Sequence, residues 1–417
     1  MAHLKLTDLN LNGKYVLYRG PFNLPLDEKK GEITDIYRVE RALPSIMHIL
    51  QEGAKPIFVS YFGRPKGYEE KYKMDSVGKK IQETLQKNGL EVIIRKLDAV
   101  VGDEVKDAIR NMKQNEIPLL ENTRFYKGNI DCDPEFSKQL ASLADVFVYD
   151  GPNDMYRRYS DTFGVTEHLI SAAGFLMDEE ITTLRELLNP PKDSILALGG
   201  AKVKGKFETI EGLVEKYHKV IIGGGMANTF LAATGFGVGG SSVEATYFEK
   251  IKKLLAIYGE KILLPIDVVA SNMRYKIEVK VRKNTNISQN YRALDTGHAT
   301  NQKNVNVITE ATGYILWNGP FGLIEEGFIE GTLSIARSMS EKYGKNKTII
   351  LGGDTHNATE RLDGFKFEHI LVGGGSSLIF LEKKGDLRYI PGLLGLELSY
   401  EKLKCGGYGP KAQELVK

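Results

Sequence analysis

Cysteine is nearly missing from these 417 residues: Cys132 and Cys405 are the only two. Two cysteines cannot build a disulfide framework, so a stapled secreted scaffold is excluded and a reducing cytosol fits. Long apolar runs are missing as well. No stretch approaches the roughly 20 apolar residues a membrane helix needs, and Met1–Gly20 holds no apolar core long enough for a signal peptide. The expectation is a cytoplasmic protein with no membrane partner. An excess of one charge is also absent. The 56 Lys and Arg against 54 Asp and Glu leave a net charge of only +2, which gives no global field for nucleic acid. The seven histidines show no metal-ligand spacing, and His356 reads as a loop residue.

What is plentiful is glycine, 44 in all, much of it directly after short apolar runs: Gly199-Gly200, Gly223-Gly224-Gly225, Gly352-Gly353 and Gly373-Gly374-Gly375. The length suits two domains of roughly 200 residues. Strand candidates in the first half are Tyr15–Tyr18, Pro56–Ser60, Glu116–Leu120 and Asp145–Tyr149. In the second half they are Ser194–Leu198, Lys219–Ile222, Lys261–Pro265, Gly313–Trp317, Thr348–Leu351 and Glu368–Val372. Between them lie segments of helical period such as Ile36–Gln51, with Val39, Leu43, Ile46 and Leu50 at helical spacing. Strands alternating with helices predict an α/β chain with parallel sheets covered on both faces. Ser171–Leu188 reads as one long amphipathic helix broken by Asn189-Pro190-Pro191. The division expected is residues 1–170, a linking helix 171–189, a second domain 190–389, and a tail 390–417 that packs back on the first domain.

Ligands of open parallel sheets bind outside the carboxyl ends of the strands, where glycine lets a phosphate approach backbone N–H groups at helix starts. Any one glycine cluster could be a plain tight turn; four in one half-chain point to a nucleotide or phosphate. In LGGAKVKGKF, Gly200–Lys206 satisfies G-x-x-x-x-G-K, but Phe207 stands where a P-loop needs Ser or Thr for magnesium. A P-loop ATPase also wants a strand ending in Asp, for which Asp267 is the candidate. The alternative reading makes Lys202 and Lys206 two ammonium groups one helical turn apart, gripping a polyphosphate; a solvated helix face is the plain alternative. Asp354, in ILGGDTH, suits magnesium held through water beside phosphate oxygens, and is equally a helix N-cap. In WNGPFGLIE, Glu325 is placed to accept from a sugar hydroxyl.

The motifs ENTRFYKG, SAAGFLMDEE, LGGAKVKGK, IIGGGMANTFL, LPIDVV, WNGPFG and GGDT follow one another in an order that resembles the phosphoglycerate kinase family along the whole chain. The resemblance implies two Rossmann-like domains joined by a long helix, a bilobal hinge kinase. Its implied reaction is reversible phosphoryl transfer between ATP/ADP and the 1-carboxylate of 3-phosphoglycerate, with Mg2+. For the nucleotide it implies Gly200, Ala201, Lys202, Lys206, Asn318, Pro320, Gly322, Leu323, Glu325, Gly352, Gly353, Asp354 and Thr355, with Asp354 on the metal. For the acceptor it implies Arg19, Asn23, Arg38, Tyr61, Arg64, Arg124 and Arg157. Arg38, Lys202, Gly352 and Gly353 are the expected catalytic set, Arg38 reaching across from the first domain. A monomer acting on small molecules is implied.

The acceptor half departs from the family pattern. Pro21 stands where an aspartate is usual, Tyr61, Tyr156 and Tyr159 where histidines are, and Arg158 is extra; in the nucleotide half Lys204 and Gly205 differ. The guanidinium groups that clamp phosphate and carboxylate remain. Tyrosine can donate a hydrogen bond but cannot become cationic near neutral pH. A carboxylate nucleophile is already ionised, so catalysis rests on positioning and charge neutralisation. The other readings are a kinase for a different anionic carboxylate, a non-catalytic nucleotide-binding homologue, and a P-loop hydrolase.

Overall fold

Alternation of short apolar runs with helical segments resolves, in a computed structural model of the chain, into two parallel sheets on two compact units. The structure describes residues 1–282, 286–353, 355, 364–409, 412 and 414–417. The first unit comprises Met1–Thr183 and Asp386–Lys417, and the second Leu184–Gly385. Among the described residues no helix is long and apolar enough to cross a membrane.

The first unit is built on β1 (Leu4–Lys5), β2 (Tyr15–Arg19), β3 (Lys55–Val59), β4 (Ile93–Lys96), β5 (Glu116–Leu119), β6 (Val146–Tyr149) and β7 (Ile170–Ala173). These pair in the order β1-β7-β6-β2-β3-β5-β4, and every pairing is parallel. The central strands read as unbroken apolar runs because both faces are covered: all of Val146–Tyr149 is buried. The helix Tyr37–Gln51 turns Val39, Ala42, Ile46 and Ile49 into the core at helical spacing, leaving Leu43 and Leu50 half-buried.

One expectation fails here. Ser171–Leu188 is not a single helix: Ile170–Ala173 is strand β7, and the helix runs over Phe175–Leu187. Small residues such as Ser171, Ala172 and Ala173 suit a helix in isolation, but they pair in register with Phe147, Val148 and Tyr149, and tertiary pairing overrides propensity. The division between the units falls inside this helix, after Thr183.

The second unit carries β8 (Ile195–Leu198), β9 (Lys219–Ile222), β10 (Ile262–Leu263), β11 (Asp267–Ser271), β12 (Lys276–Lys280), β13 (Arg292–Thr296), β14 (Ile315–Asn318), β15 (Thr348–Leu351) and β16 (His369–Leu371). The main sheet runs β10-β9-β8-β14-β15-β16, again all parallel. Its core gathers Ile195, Ile221, Trp317, Phe321, Ile335 and Ile350. An antiparallel sheet, β12-β11-β13, stands beside it, which the alternating pattern gave no reason to expect.

Candidate active site

Loops at the carboxyl ends of parallel strands in the second unit hydrogen-bond to one another and to the ends of neighbouring strands. Gly200 N donates to Pro320 O at 2.7 Å, Gly223 N to Leu198 O at 2.9 Å, Gly224 N to Phe321 O at 3.1 Å and Met226 N to Gly200 O at 2.9 Å. Gly319 N donates to Thr355 Oγ1 at 2.7 Å, and Gly352 N to Leu371 O at 2.9 Å. Gly224 has a physical requirement: its φ is +65°, and a Cβ there would lie 2.6 Å from Gly200 N. The result is a rim of closely packed backbone following β8, β9, β14 and β15, the sort of surface on which phosphate can meet N–H groups.

The side chains expected on this rim are placed unevenly. Lys202 is exposed. Lys206 is half-buried and folded back, its Nζ 2.6 Å from Gly199 O and 3.5 Å from Asn318 O. The two lysines are not one turn apart on a helix face, as expected. They lie in the loop before the helix Phe207–Leu213, with Lys206 at its N-cap, because Gly205 at φ +82° keeps the loop from helical geometry. Asn318 is buried; its Nδ2 donates to Leu351 O at 2.5 Å, and its Oδ1 has no partner among the described residues. Pro320 and Gly322 hold the following turn, where a Cβ on Gly322 would lie 2.1 Å from Phe328 O. Ala201, Leu323 and Glu325 are exposed. Asp354 and His356 lie outside the described residues, as does most of the helix expected after Gly353.

Asp267 does not end a strand facing phosphate. It opens β11 and accepts from Ala299 N at 2.9 Å, Thr300 N at 2.8 Å and Thr300 Oγ1 at 2.5 Å. Burial pushes its pKa up, but the hydrogen bonds from Thr300 and Ala299 outweigh it and leave the carboxylate below its usual range. It caps the helix His298–Glu310, so the P-loop reading loses its metal carboxylate, and Phe207, which has no hydroxyl to offer magnesium, is buried.

The first unit brings a second set together, again after strand ends. Asn23 Oδ1 accepts from Gly63 N at 2.9 Å, and Asn23 O accepts from Arg38 Nη1. Gly63 O accepts from Arg124 Nη1 at 2.6 Å. Gly63 can link the two because it sits at φ +67°. Arg124 is carried on the turn Thr123–Phe125, capped by the buried Asn122 side chain. Its Cζ lies 3.6 Å from the centroid of the Tyr61 ring, and the Tyr61 hydroxyl accepts from Asn153 Nδ2 at 2.7 Å. Burial pushes the Tyr61 phenol up to about 12. Arg64 and Arg157 are exposed, with Arg157 over the Tyr156 ring at 4.4 Å.

Arg19 does not join them. It is 0% exposed, and its guanidinium donates to Asp161 Oδ2 at 2.9 Å, Gly20 O at 2.8 Å, Ser60 Oγ at 3.2 Å and Asp154. Burial works against its charge, but Asp154 and Asp161 outweigh that and hold its pKa above the usual arginine range. With its donors occupied it is an internal tie rather than an acceptor ligand, which corrects the expectation. Its partner Asp154 is pushed up to about 6, burial outweighing the attraction of Arg19. The sequence reading overlooked Asn153 and Asp154; the available signal was two polar residues directly after a buried strand and a Gly-Pro turn.

Comparison with known proteins gives consistent results. A family model described as Phosphoglycerate kinase matches residues 6–384. The chain is 40% identical over 404 residues to the phosphoglycerate kinase of Moorella thermoacetica, covering 95% of this chain and 99% of that one. It is 40% identical over 399 residues to the phosphoglycerate kinase of Clostridium perfringens strain 13, at 94% and 98% coverage. Among solved structures, phosphoglycerate kinase from Pyrococcus horikoshii OT3 aligns with a TM-score of 0.85 at 26% identity, covering 96% and 100%. That from Coxiella burnetii aligns at 0.78 and 28% identity, with the same coverage.

Proposed function

From the premise that this chain belongs to the phosphoglycerate kinase family, we propose how its residues divide the work of that reaction. The enzyme is a phosphotransferase with a carboxyl group as acceptor: it moves a phosphoryl group reversibly between ATP/ADP and the 1-carboxylate of 3-phosphoglycerate. The glycine-lined rim of the second unit is the nucleotide half-site. Its backbone N–H groups and the ammonium groups of Lys202 and Lys206 take the phosphates, and Pro320, Gly322, Leu323 and Glu325 take the nucleoside. Lys206 exchanges the carbonyls of Gly199 and Asn318 for phosphate oxygens, while the exposed Lys202 neutralises charge on the transferring group.

Magnesium enters with the nucleotide. An ion held chiefly by phosphate oxygens and water needs only one protein carboxylate. Asp354 is the carboxylate for it. The ion's contribution when bound is to spread the negative charge of the phosphates.

The first unit supplies the acceptor half-site. Asn23, Arg38, Tyr61, Arg64, Arg124 and Arg157 form an anion reader; Arg38 serves the carboxylate, and Arg64, Arg124 and Arg157 the distal phosphate. The nucleophile needs no general base, which matches a site furnished with cations and no exposed histidine or carboxylate in that set. The protein acts on these small molecules in the cytoplasm as a monomer. The observation that carries this division is the clustering of Gly63, Asn23, Arg38, Arg124 and Tyr61 by direct contacts. Its test is a coupled assay with MgATP and 3-phosphoglycerate, following acyl-phosphate formation through NADH oxidation. Turnover is expected, with kcat lowered at least about 100-fold in Lys202→Ala. MgADP binding by calorimetry without turnover would instead send the search to other anionic acceptors.

A further inference from the structure

The Tyr61 ring and the Arg124 guanidinium are in direct contact. The 3.6 Å from Cζ to ring centroid lies well inside the roughly 6 Å reach of a cation–π contact. Tyr61 is only 4% exposed, so the contact is largely desolvated, the condition under which it is strongest. A single Nη1 bond to Gly63 O holds one corner of the guanidinium. Its Nε is buried with no partner among the described residues.

Tyr61 is itself held. Asn153 Nδ2 reaches its hydroxyl from the turn Pro152–Asp154, and the next residue of that turn, Asp154, is tied to the buried Arg19. A continuous line of fixed groups therefore runs from Arg19 through Asp154 and Asn153 to Tyr61 and Arg124. We propose that Tyr61 is a positioning residue for the acceptor half-site: pinned by Asn153, its ring fixes the plane of Arg124 before the anionic end of the acceptor arrives. This rests on the reading of that half-site given above. Tyrosine suits the task because it stays neutral at physiological pH. An imidazole stacked there would gain charge near pH 6.5 and repel the guanidinium it supports.

The arrangement makes acceptor affinity depend on Tyr61 and Asn153 while leaving the nucleotide alone. The experiment compares wild type with Tyr61→Leu, Tyr61→Phe, Asn153→Ala and the Tyr61→Phe/Asn153→Ala double variant. Calorimetry reads 3-phosphoglycerate binding, and the coupled assay reads KM and kcat. Tyr61→Leu is expected to raise KM for 3-phosphoglycerate about tenfold, the order of a desolvated cation–π contact, with kcat and KM for MgATP within about twofold. Tyr61→Phe keeps the ring and recovers most of that loss. Because Phe at 61 and Ala at 153 remove the same hydrogen bond, the double variant is no worse than the poorer single one. An unchanged acceptor KM in Tyr61→Leu, or a fall confined to kcat, would overturn the proposal. So would additive losses in the double variant, which settles the matter even if Tyr61→Leu folds poorly. Should wild type neither bind nor turn over 3-phosphoglycerate, the acceptor reading fails and inorganic phosphate becomes the probe, with MgADP saturating the other half-site. Weaker phosphate binding in Tyr61→Leu than in wild type then supports the positioning role; equal binding, or none by wild type, refutes it.

Discussion

Asp150, just past β6, is fully buried and accepts from Tyr18 Oη at 2.7 Å and Met177 N at 2.9 Å. Burial outweighs these bonds and pushes its pKa from the ordinary 3.8 up to about 6. A carboxyl raised in the folded state binds its proton more tightly there than in the unfolded chain. Its contribution to stability is therefore complete below about pH 4 and lost as pH rises through about 6. Roughly two pKa units at about 1.4 kcal/mol each put the cost above pH 6 near 3 kcal/mol. Asparagine has the same shape and can still accept from Met177 N, with the Tyr18 hydroxyl rotated to accept. Asp150→Asn is expected to raise the stability of the first unit by about 1–3 kcal/mol at pH 8, with the gain fading toward pH 4. Urea titrations at several pH values measure this, and a variant equally destabilised at pH 5 and pH 8 would show that shape, not charge, governs the site. Asp150 and Arg19 also mark where single residues cease to be legible. A guanidinium near a strand end looks alike in sequence whether it faces a ligand or an internal carboxylate. What diverts Arg19 inward is Asp154 and Asp161, more than a hundred positions along the chain.

Helix ends and strand pairs are the scale at which the sequence was both most and least readable. Tyr15–Arg19, Lys219–Ile222 and Thr348–Leu351 lie where their apolar runs placed them, since a strand buried on both faces has to be apolar throughout. Ile93–Lys96 was unreadable because its residues alternate between exposed and half-buried at a sheet edge. The β11–β12 hairpin was missed because all of Lys276–Lys280 is exposed or half-exposed, leaving no core face to give a period. Asp267 was read as a candidate metal carboxylate for a P-loop and is instead a helix cap, since cap and metal ligand both ask for an acid beside a turn. Its role as a cap makes a prediction at this scale. Asp267→Ala should cost the second unit about 1–2 kcal/mol near pH 7. The pKa lies below the usual value, so the benefit is present above about pH 4 and vanishes as pH falls through the folded value. The gap to wild type should therefore close in acid, as thermal unfolding would show. MgADP affinity should hold; its loss in a folded variant would restore Asp267 as a metal ligand.

Across the whole molecule the decisive fact is that the first unit is discontinuous. The chain leaves it in the helix Phe175–Leu187, builds the entire second unit, and returns at Asp386. The returning segment is structural rather than ornamental. Ile390, Leu393 and Leu396 are fully buried, and Ser399 Oγ accepts from Ser171 N at 3.0 Å beside β7. Tyr408 Oη donates to the carbonyls of Thr166 and Leu169 at 3.0 Å each. Val416 then bridges to Leu9, so the chain end closes against its beginning. Burying three such apolar side chains is worth about 1.5–3 kcal/mol each, some 5–9 kcal/mol together, against the roughly 5–15 kcal/mol by which a domain is stable. A chain ending at Gly385 should therefore lose the first unit as a cooperative fold, while the continuous second unit, Leu184–Gly385, persists. Calorimetry on such a truncation should show one unfolding transition where the full chain shows the contributions of both units. Protease should digest residues 1–183 first, MgADP binding should survive, and turnover should vanish. If instead the truncated protein kept its acceptor affinity and resisted protease in residues 1–183, the returning segment would be a passenger, and the stability of the first unit would have to come from its seven-stranded sheet alone.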